Sequence, residues 1–150
     1  MQCKLIFLIL IALFPCVAKA ETADGGLPGY FLSQGAGARA LGMGRAYTGA
    51  VNDATAIYWN PAGLAQLQQK EIHLMHAQLF EDTRYDFLGY AHPLPRHWAL
   101  GLGVIQLNSG GIVKRDAQNT PGATISDQNT AILLSGAKDL PGKLAFGFTF

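Results

Sequence analysis

The chain has little charge, no cysteine beyond its first sixteen residues, and no apolar run long enough to cross a bilayer as a helix. Each shortage excludes something. Asp, Glu, Lys and Arg make up 14% of the 150 residues, against about 25% in an ordinary soluble domain. The two cysteines, Cys3 and Cys16, both lie within the first twenty residues. The remainder can therefore build no disulfide framework, thiolate metal site or cysteine nucleophile. The longest unbroken apolar run, Leu5 to Phe14, falls well short of the roughly 20 residues a spanning helix needs. No basic excess points to nucleic acid.

That short run belongs to an export signal. Lys4 precedes it, Pro15 follows, and Ala18-Lys19-Ala20 supplies the small-residue cleavage pattern, so residues 1–20 are expected to be removed before Glu21. A lipid anchor on Cys16 is disfavoured by bulky Pro15 at a position where lipidation needs a small residue. Removing Lys4 and Lys19 takes the basic count from 11 to 9 against 10 acids, a net charge of −1.

Glycine, at 18 residues, is plentiful. Residues 21–69 read as a plug segment: a loose lead-in over 21–34, then a Gly- and Ala-rich stretch from Gly35 to Gln69 with few β-branched residues. Within it, Asn60-Pro61-Ala62-Gly63 fits two geometries. It suits a type I turn with Pro at its second position. Equally, Asn60 can cap a short helix that opens on Pro61.

From residue 70 the periodicity becomes two, the signature of strands. Trp98, Leu100, Leu102 and Val104 alternate with Ala99, Gly101, Gly103 and Ile105; Leu144, Phe146, Phe148 and Phe150 alternate with Ala145, Gly147 and Thr149. Thr130, Ile132 and Leu134, and likewise Tyr85, Phe87 and Gly89, show the same alternation. About five strands of roughly ten residues result, the length of membrane-spanning strands. The stretch Ile72 to Phe80 is strand-like with unassigned faces. A four-residue turn over 93–96, with His92 facing His97, would pair Phe87 with Leu102, Tyr85 with Val104 and Asp86 with Gly103. Arg84 and Asp86 would then fall beside the glycines on an enclosed, lumen-facing side. Around Asp139-Leu140-Pro141-Gly142, keeping the apolar faces together requires a loop with an odd number of residues. Residues 108–128 read as a long polar link on the outer side, opposite the short turns at 93–96 and 139–142. Trp98 and Tyr90 would sit near the short-turn interface, where amphipathic rings are favoured. A soluble β-sandwich alternates in the same way, but Ala99, Gly101, Gly103, Ala145 and Gly147 are too weakly polar for a solvent face. The fold class expected is all-β, an antiparallel outer-membrane barrel with an N-terminal plug. Five strands are fewer than the eight or so that closure needs, so the chain is expected to be part of a longer one.

The run from Gly35 to Leu64, with Gly42-Met43-Gly44-Arg45-Ala46-Tyr47, the neighbourhood of Asp53, and Asn60-Pro61-Ala62-Gly63-Leu64, resembles the N-terminal hatch of FadL-type outer-membrane transporters. Within them it is most similar to the PorV/PorQ-like branch. The resemblance covers about thirty residues closely and the strands in pattern. It implies a barrel with the hatch folded inside, embedded in outer-membrane lipid. Its ligands would be long-chain fatty acids or other hydrophobic small molecules. In PorV-like members the partner would instead be secreted protein cargo.

Other constellations carry less. Gly35-Ala-Gly-Ala-Arg-Ala40 fits a dinucleotide fingerprint in letters, yet no strand precedes it to form the βαβ unit the motif requires. His73 and His76 point to opposite faces of a strand and cannot share a metal. No metal, cofactor or catalytic residue is expected, and the oligomeric state is open. Arg39, Arg45 and Asp53 are the charges of the plug; Arg45 is expected either to latch onto Asp53 or a luminal carboxylate such as Asp86, because confined charges need partners, or to stay solvated in a water-filled lumen.

Overall fold

The computed structural model describes residues 29–80, 82–142 and 144–150; the expected export signal lies outside them. The described body, Phe31–Phe150, packs as one unit. Five strands form one antiparallel sheet in sequence order: β1 (Glu71–Gln78), β2 (Thr83–Leu94), β3 (Trp98–Arg115), β4 (Pro121–Leu140) and β5 (Leu144–Thr149). β1 and β5 are its two edges and the sheet is open. Before it come short helical turns, Tyr30–Gln34, Ala38–Gly42, Ala56–Trp59 and Pro61–Gln66, which fold against one face. None is as long as the roughly 12 residues at which an isolated helix becomes marginally stable, so packing on the sheet holds them.

The small residues explain where the turns sit. Ala99 and Ala137 are fully buried, and with Gly101 and Gly103 they floor a depression that receives Ile57 and Leu64. A Cβ on Gly101 would lie 2.6 Å from Ile57 and 3.0 Å from Leu64; one on Gly103 would lie 2.9 Å from Ile57. Burying Ile57 and Leu64 contributes about 1.5–3 kcal/mol each. A second cluster gathers Ala36, Tyr85, Phe87 and Ile105, with Phe31, Leu32 and Tyr58 packed against it. The plug thus seats Ile57 and Leu64 where the sheet is small, and meets the sheet's large residues with Ala36 flanked by Phe31, Leu32 and Tyr58.

The opposite face is apolar and uncovered. Leu74, Leu88, Val104 and Ile132 are in register across β1 to β4, followed by Ile72, Tyr90, Leu102 and Leu134. Leu74 is 74% exposed and Ile132 65%. Phe146 and Phe148 on β5 continue the same surface. Toward the β1–β2 turn the next row is polar: His76, Asp86, Gln106 and Thr130.

The structure corrects two expectations. First, Leu94 pairs with Trp98 around a three-residue turn, so Phe87 faces Ile105, Tyr85 faces Leu107 and Asp86 faces Gln106. The turn is odd because Arg96 and His97 both take left-handed backbone, φ 64°, which non-glycine residues adopt rarely. An odd count in place of an even one turns β2 over relative to β3. Tyr85 and Phe87 therefore face the plug, and Arg84 and Asp86 face away from it, contrary to the enclosed position expected. Second, residues 108–128 are mostly strand, not loop. β3 and β4 keep pairing past Ser109, with register shifts after Ser109 and Val113. Gly111, at φ 70°, lies inside the first shift, where a left-handed glycine suits a bulge. The result is a two-stranded arm beyond the edge of β2, almost wholly exposed. At the β4–β5 end, Leu140 pairs with Leu144, the odd loop that the apolar faces required.

Candidate functional site

The seam between plug and sheet brings together four of the residues picked out in the sequence, Asp53, Asn60, Pro61 and Ala62. Asn60 turns its side chain back to accept from the Ala62 N–H at 3.2 Å, and its amide donates to the Thr48 carbonyl at 3.0 Å. It caps the 3-10 turn Pro61–Gln66 with Pro61 in the first position, so the capping geometry holds. Behind it, Gly63 lies against Val51, whose carbonyl would be 2.6 Å from a Cβ there. Ala62 and Pro61 present bare peptide to β5 at Gly147, where a Cβ would fall on the main chain and lie 2.7 Å from Ala62 Cα.

Asp53 organises the turn before the helix Ala56–Trp59. Its Oδ1 accepts from the Thr55 N–H at 2.8 Å and from Thr55 Oγ1 at 2.5 Å, while Oδ2 accepts from Tyr47 Oη at 2.9 Å. Burial pushes the carboxyl up, but the hydrogen bonds from Thr55 and Tyr47 outweigh it and hold Asp53 below its ordinary value. Burial and the Asp53 carboxylate together raise Tyr47. Arg39, rather than Arg45, leans on this group, with Nη1 at 3.4 Å from both Tyr47 Oη and Asn52 Oδ1.

The expected Arg45 latch is absent. Arg45 is exposed and left-handed at φ 68°, ending a turn in which its N–H donates to the Ala40 carbonyl at 2.9 Å. Among the described residues a histidine–carboxylate contact, His76 Nδ1 to Asp86 Oδ1 at 2.5 Å, lies on the face away from the plug. Asp53 is satisfied by neutral donors, so it requires no cation. Gly44, at φ 62°, precedes Arg45 in the same turn, and Gly42 stands in open space. Arg84 lies exposed on the outer face of β2. The predicted residues thus divide: Asp53, Asn60, Pro61 and Ala62 form the seam, Gly42, Gly44 and Arg45 form a surface turn, and Arg84 and Asp86 belong to the other face of the sheet.

Several seam residues carried no signal as single letters. Thr149 Oγ1 donates to the Ile57 carbonyl at 3.1 Å and sits 2.7 Å from Ser135 Oγ, which leaves the Ser135 hydroxyl as donor to Thr149. Both are lone hydroxyls on otherwise small or apolar strand faces, the one clue they gave. Trp59 Nε1 donates to the Ala36 carbonyl at 2.7 Å, and Tyr58 Oη donates to the Leu32 carbonyl. Glu71 on β1 accepts from the Ala54 N–H at 3.1 Å. His73 and His76 lie on opposite faces of β1, as the strand period requires.

Between plug and sheet, on the β5 side, runs a cleft of about 450 Å³ lined by Leu32, Ile57, Tyr58, Pro61, Leu133 and Thr149. Its walls are largely apolar, and its two hydroxyls are already engaged by backbone carbonyls. Such a lining binds through contact area and shape. No group of three His, Cys, Asp or Glu side chains suited to a metal occurs among the described residues. A family model described as an uncharacterised protein family, UPF0164, matches residues 29–109, the plug and the sheet as far as the last β2–β3 pair. No curated protein matches the chain, and no solved structure does.

Proposed function

This chain belongs to the uncharacterised protein family UPF0164, and we propose that it forms the plug and first wall strands of an outer-membrane β-barrel that passes hydrophobic small molecules. The observation that carries the reading is the division of the sheet's faces. The small side is closed by the plug, while Leu74, Leu88, Leu102, Ile132 and Leu134 stand exposed on the other. Contiguous apolar surface of this kind marks an apolar environment or a partner. Ten residues, Trp98 to Leu107, suffice for a tilted strand to cross, and β3 has that stretch with Trp98 at its short-turn end. The hatch resemblance and the expected export signal point the same way. In this mechanism the apolar cleft beside Ile57 and Pro61 receives the ligand, and displacement of the capped turn at Asn60 opens the path. No covalent chemistry is involved, and the protein is not an enzyme.

A second reading has its own observation. The β3–β4 arm extends beyond the rest of the sheet, and β3 alone, with 18 residues, is about 60 Å long at ~3.4 Å per residue, twice a hydrocarbon core of about 30 Å. A projecting arm suits capture of secreted protein cargo. Two measurements separate the readings: fractionation of cells expressing the full-length protein, and uptake of radiolabelled long-chain fatty acid into vesicles containing it. Outer-membrane recovery with uptake supports passage. Outer-membrane recovery without uptake, with secreted proteins co-purifying, supports cargo capture. Recovery as a freely soluble periplasmic monomer refutes both.

A further inference from the structure

On the face away from the plug, the apolar surface is interrupted by a groove of about 550 Å³ over Gly136, walled by Leu100, Leu102, Leu134 and Phe148. Gly136 makes the groove. It is in register with His92 and Leu100 on one side and Phe148 on the other, and a Cβ on it would press into the Phe148 ring at 2.7 Å. At one side of this apolar slot stand two polar groups, Tyr90 and His92, with Tyr90 Oη 3.1 Å from His92 Nδ1. The two form one hydrogen-bonded pair whose direction depends on the His92 tautomer. One row further toward the short turns, Lys138 is in register with Trp98 and its ammonium lies 4.8 Å from the centre of that ring, leaning across β3 toward the His92 side. Arg96 and His97 in the adjoining turn are exposed. The groove is therefore apolar along its length with Tyr90 and His92 in its lining, and Lys138 lines an adjoining pocket that shares Gly136 and Phe148 with it.

We propose that this groove holds one anionic phospholipid of the leaflet on the short-turn side, with an acyl chain over Gly136 and the phosphate at His92 and Lys138. The inference rests on the membrane reading above but concerns the outer wall, not the passage. Charge selects the occupant. An uncharged hydrocarbon chain would need no Lys138, and a zwitterionic headgroup would bring its own cation to the Lys138 ammonium. The Trp98 ring holds that ammonium at the level where headgroups lie. A basic group near a lipid surface contributes about fivefold in affinity for an anionic lipid.

The test uses the full-length protein in detergent, charged with an equimolar mixture of phosphatidylglycerol and phosphatidylcholine, washed, and analysed by native mass spectrometry. The expected result is one tightly retained phosphatidylglycerol per chain, in clear excess over phosphatidylcholine. Lys138→Gln should lower that excess about fivefold while leaving the cap at Asn60 untouched. Gly136→Leu, which fills the groove and displaces the Phe148 ring, should abolish retention of either lipid. As a fold check, both variants must reach the membrane fraction as the wild type does; where Gly136→Leu does not, Leu100→Phe narrows the same groove from its wall and should do the same. Equal retention of the two lipids, retention unchanged by Lys138→Gln, or a second copy of the chain occupying this face overturns the proposal. Those outcomes leave the membrane reading standing. Recovery of the protein in the soluble periplasmic fraction removes both together.

Discussion

Replacing Gly147 by alanine tests whether the plug is truly seated against β5. The Cβ would fall on the Pro61–Ala62 peptide, with Ala62 Cα at 2.7 Å, so no side-chain rotation can relieve the clash. Either the capped turn lifts or β5 moves out. Overpacking a tight contact costs about 1–3 kcal/mol. A shift of either element also stretches the Thr149 hydroxyl's bond to the Ile57 carbonyl, now 3.1 Å, a loss of about 1 kcal/mol. The sum, about 2–4 kcal/mol, raises the population of the unseated plug by roughly thirty- to several-hundredfold. Hydrogen exchange followed by mass spectrometry reads this directly, because local opening sets amide protection. Peptides covering residues 56–67 should lose protection by that factor, while those from β3 should not. Gly49→Ala is the control, since a Cβ there meets nothing within 4 Å. Equal protection of residues 56–67 in Gly147→Ala, Gly49→Ala and the wild type would refute the seating.

Three further outcomes follow from the same geometry. Asn60→Ala removes a cap and the bond to the Thr48 carbonyl, for a loss of about 1–2 kcal/mol in plug protection; Asn60→Asp, which keeps the acceptor, should lose about half of that. Acid should loosen the plug. Asp53 has a folded pKa below its ordinary 3.8, so its contribution is complete above that value and disappears as pH falls through the folded one. Tyr47 is raised above 10.0, so its contribution is lost as pH rises past 10 and through the folded value. Exchange of residues 47–56 against pH should show both limbs, and Asp53→Asn should flatten the acid one. Finally, Leu102→Arg on the uncovered face should cost about 2–4 kcal/mol in refolding into lipid if that face meets the bilayer, whereas Ile125→Arg on the arm should stay within about 0.5 kcal/mol. Equal small effects at both positions would show that Leu102 does not face hydrocarbon.

What the sequence made legible was the content of each strand face; what it concealed was the relation between neighbouring faces. Alternation places Leu100 and Leu102 together and Gly101 and Gly103 together whatever the fold. Whether Phe87 joins the first set or the second depends on the parity of a turn. That parity was settled by left-handed backbone at Arg96 and His97, for which arginine is no signal and histidine only a mild one. The assumption that large apolar residues share one face also failed for a reason of packing. The plug is itself uneven, so Tyr85 and Phe87 lie under Ala36 while glycine lies under Ile57. Gly110-Gly111 read as a loop because a bulge and a loop share the same glycines, and only continued pairing from Ile112 to Arg115 tells them apart. Asn60-Pro61, by contrast, was legible because its capping chemistry is local. The Arg45 latch failed because charge was matched to charge, when Thr55 and Tyr47 already satisfied Asp53.

The shape of the uncovered apolar area bears on the proposal that a bilayer, rather than a protein partner, covers it. A core shared with a second sheet is bounded on all sides, with polar residues closing it along the outer strands as well as at the strand ends. A bilayer is a slab, and its boundaries must run as two lines across every strand. Here the polar boundary, His76, Asp86, Gln106 and Thr130, crosses β1 to β4 in register. The other is marked by Trp98 and Lys138 beside the short turns. Along the edges no polar border intervenes: Ile72 and Leu74 on β1, and Phe146 and Phe148 on β5, are exposed up to the last strand on either side. An apolar band that stops at strand ends but not at strand edges fits a sheet continued sideways by more strands within a layer of hydrocarbon. A charge introduced at Leu102 tests this argument most directly, because it lies between the two boundaries where a slab offers no water.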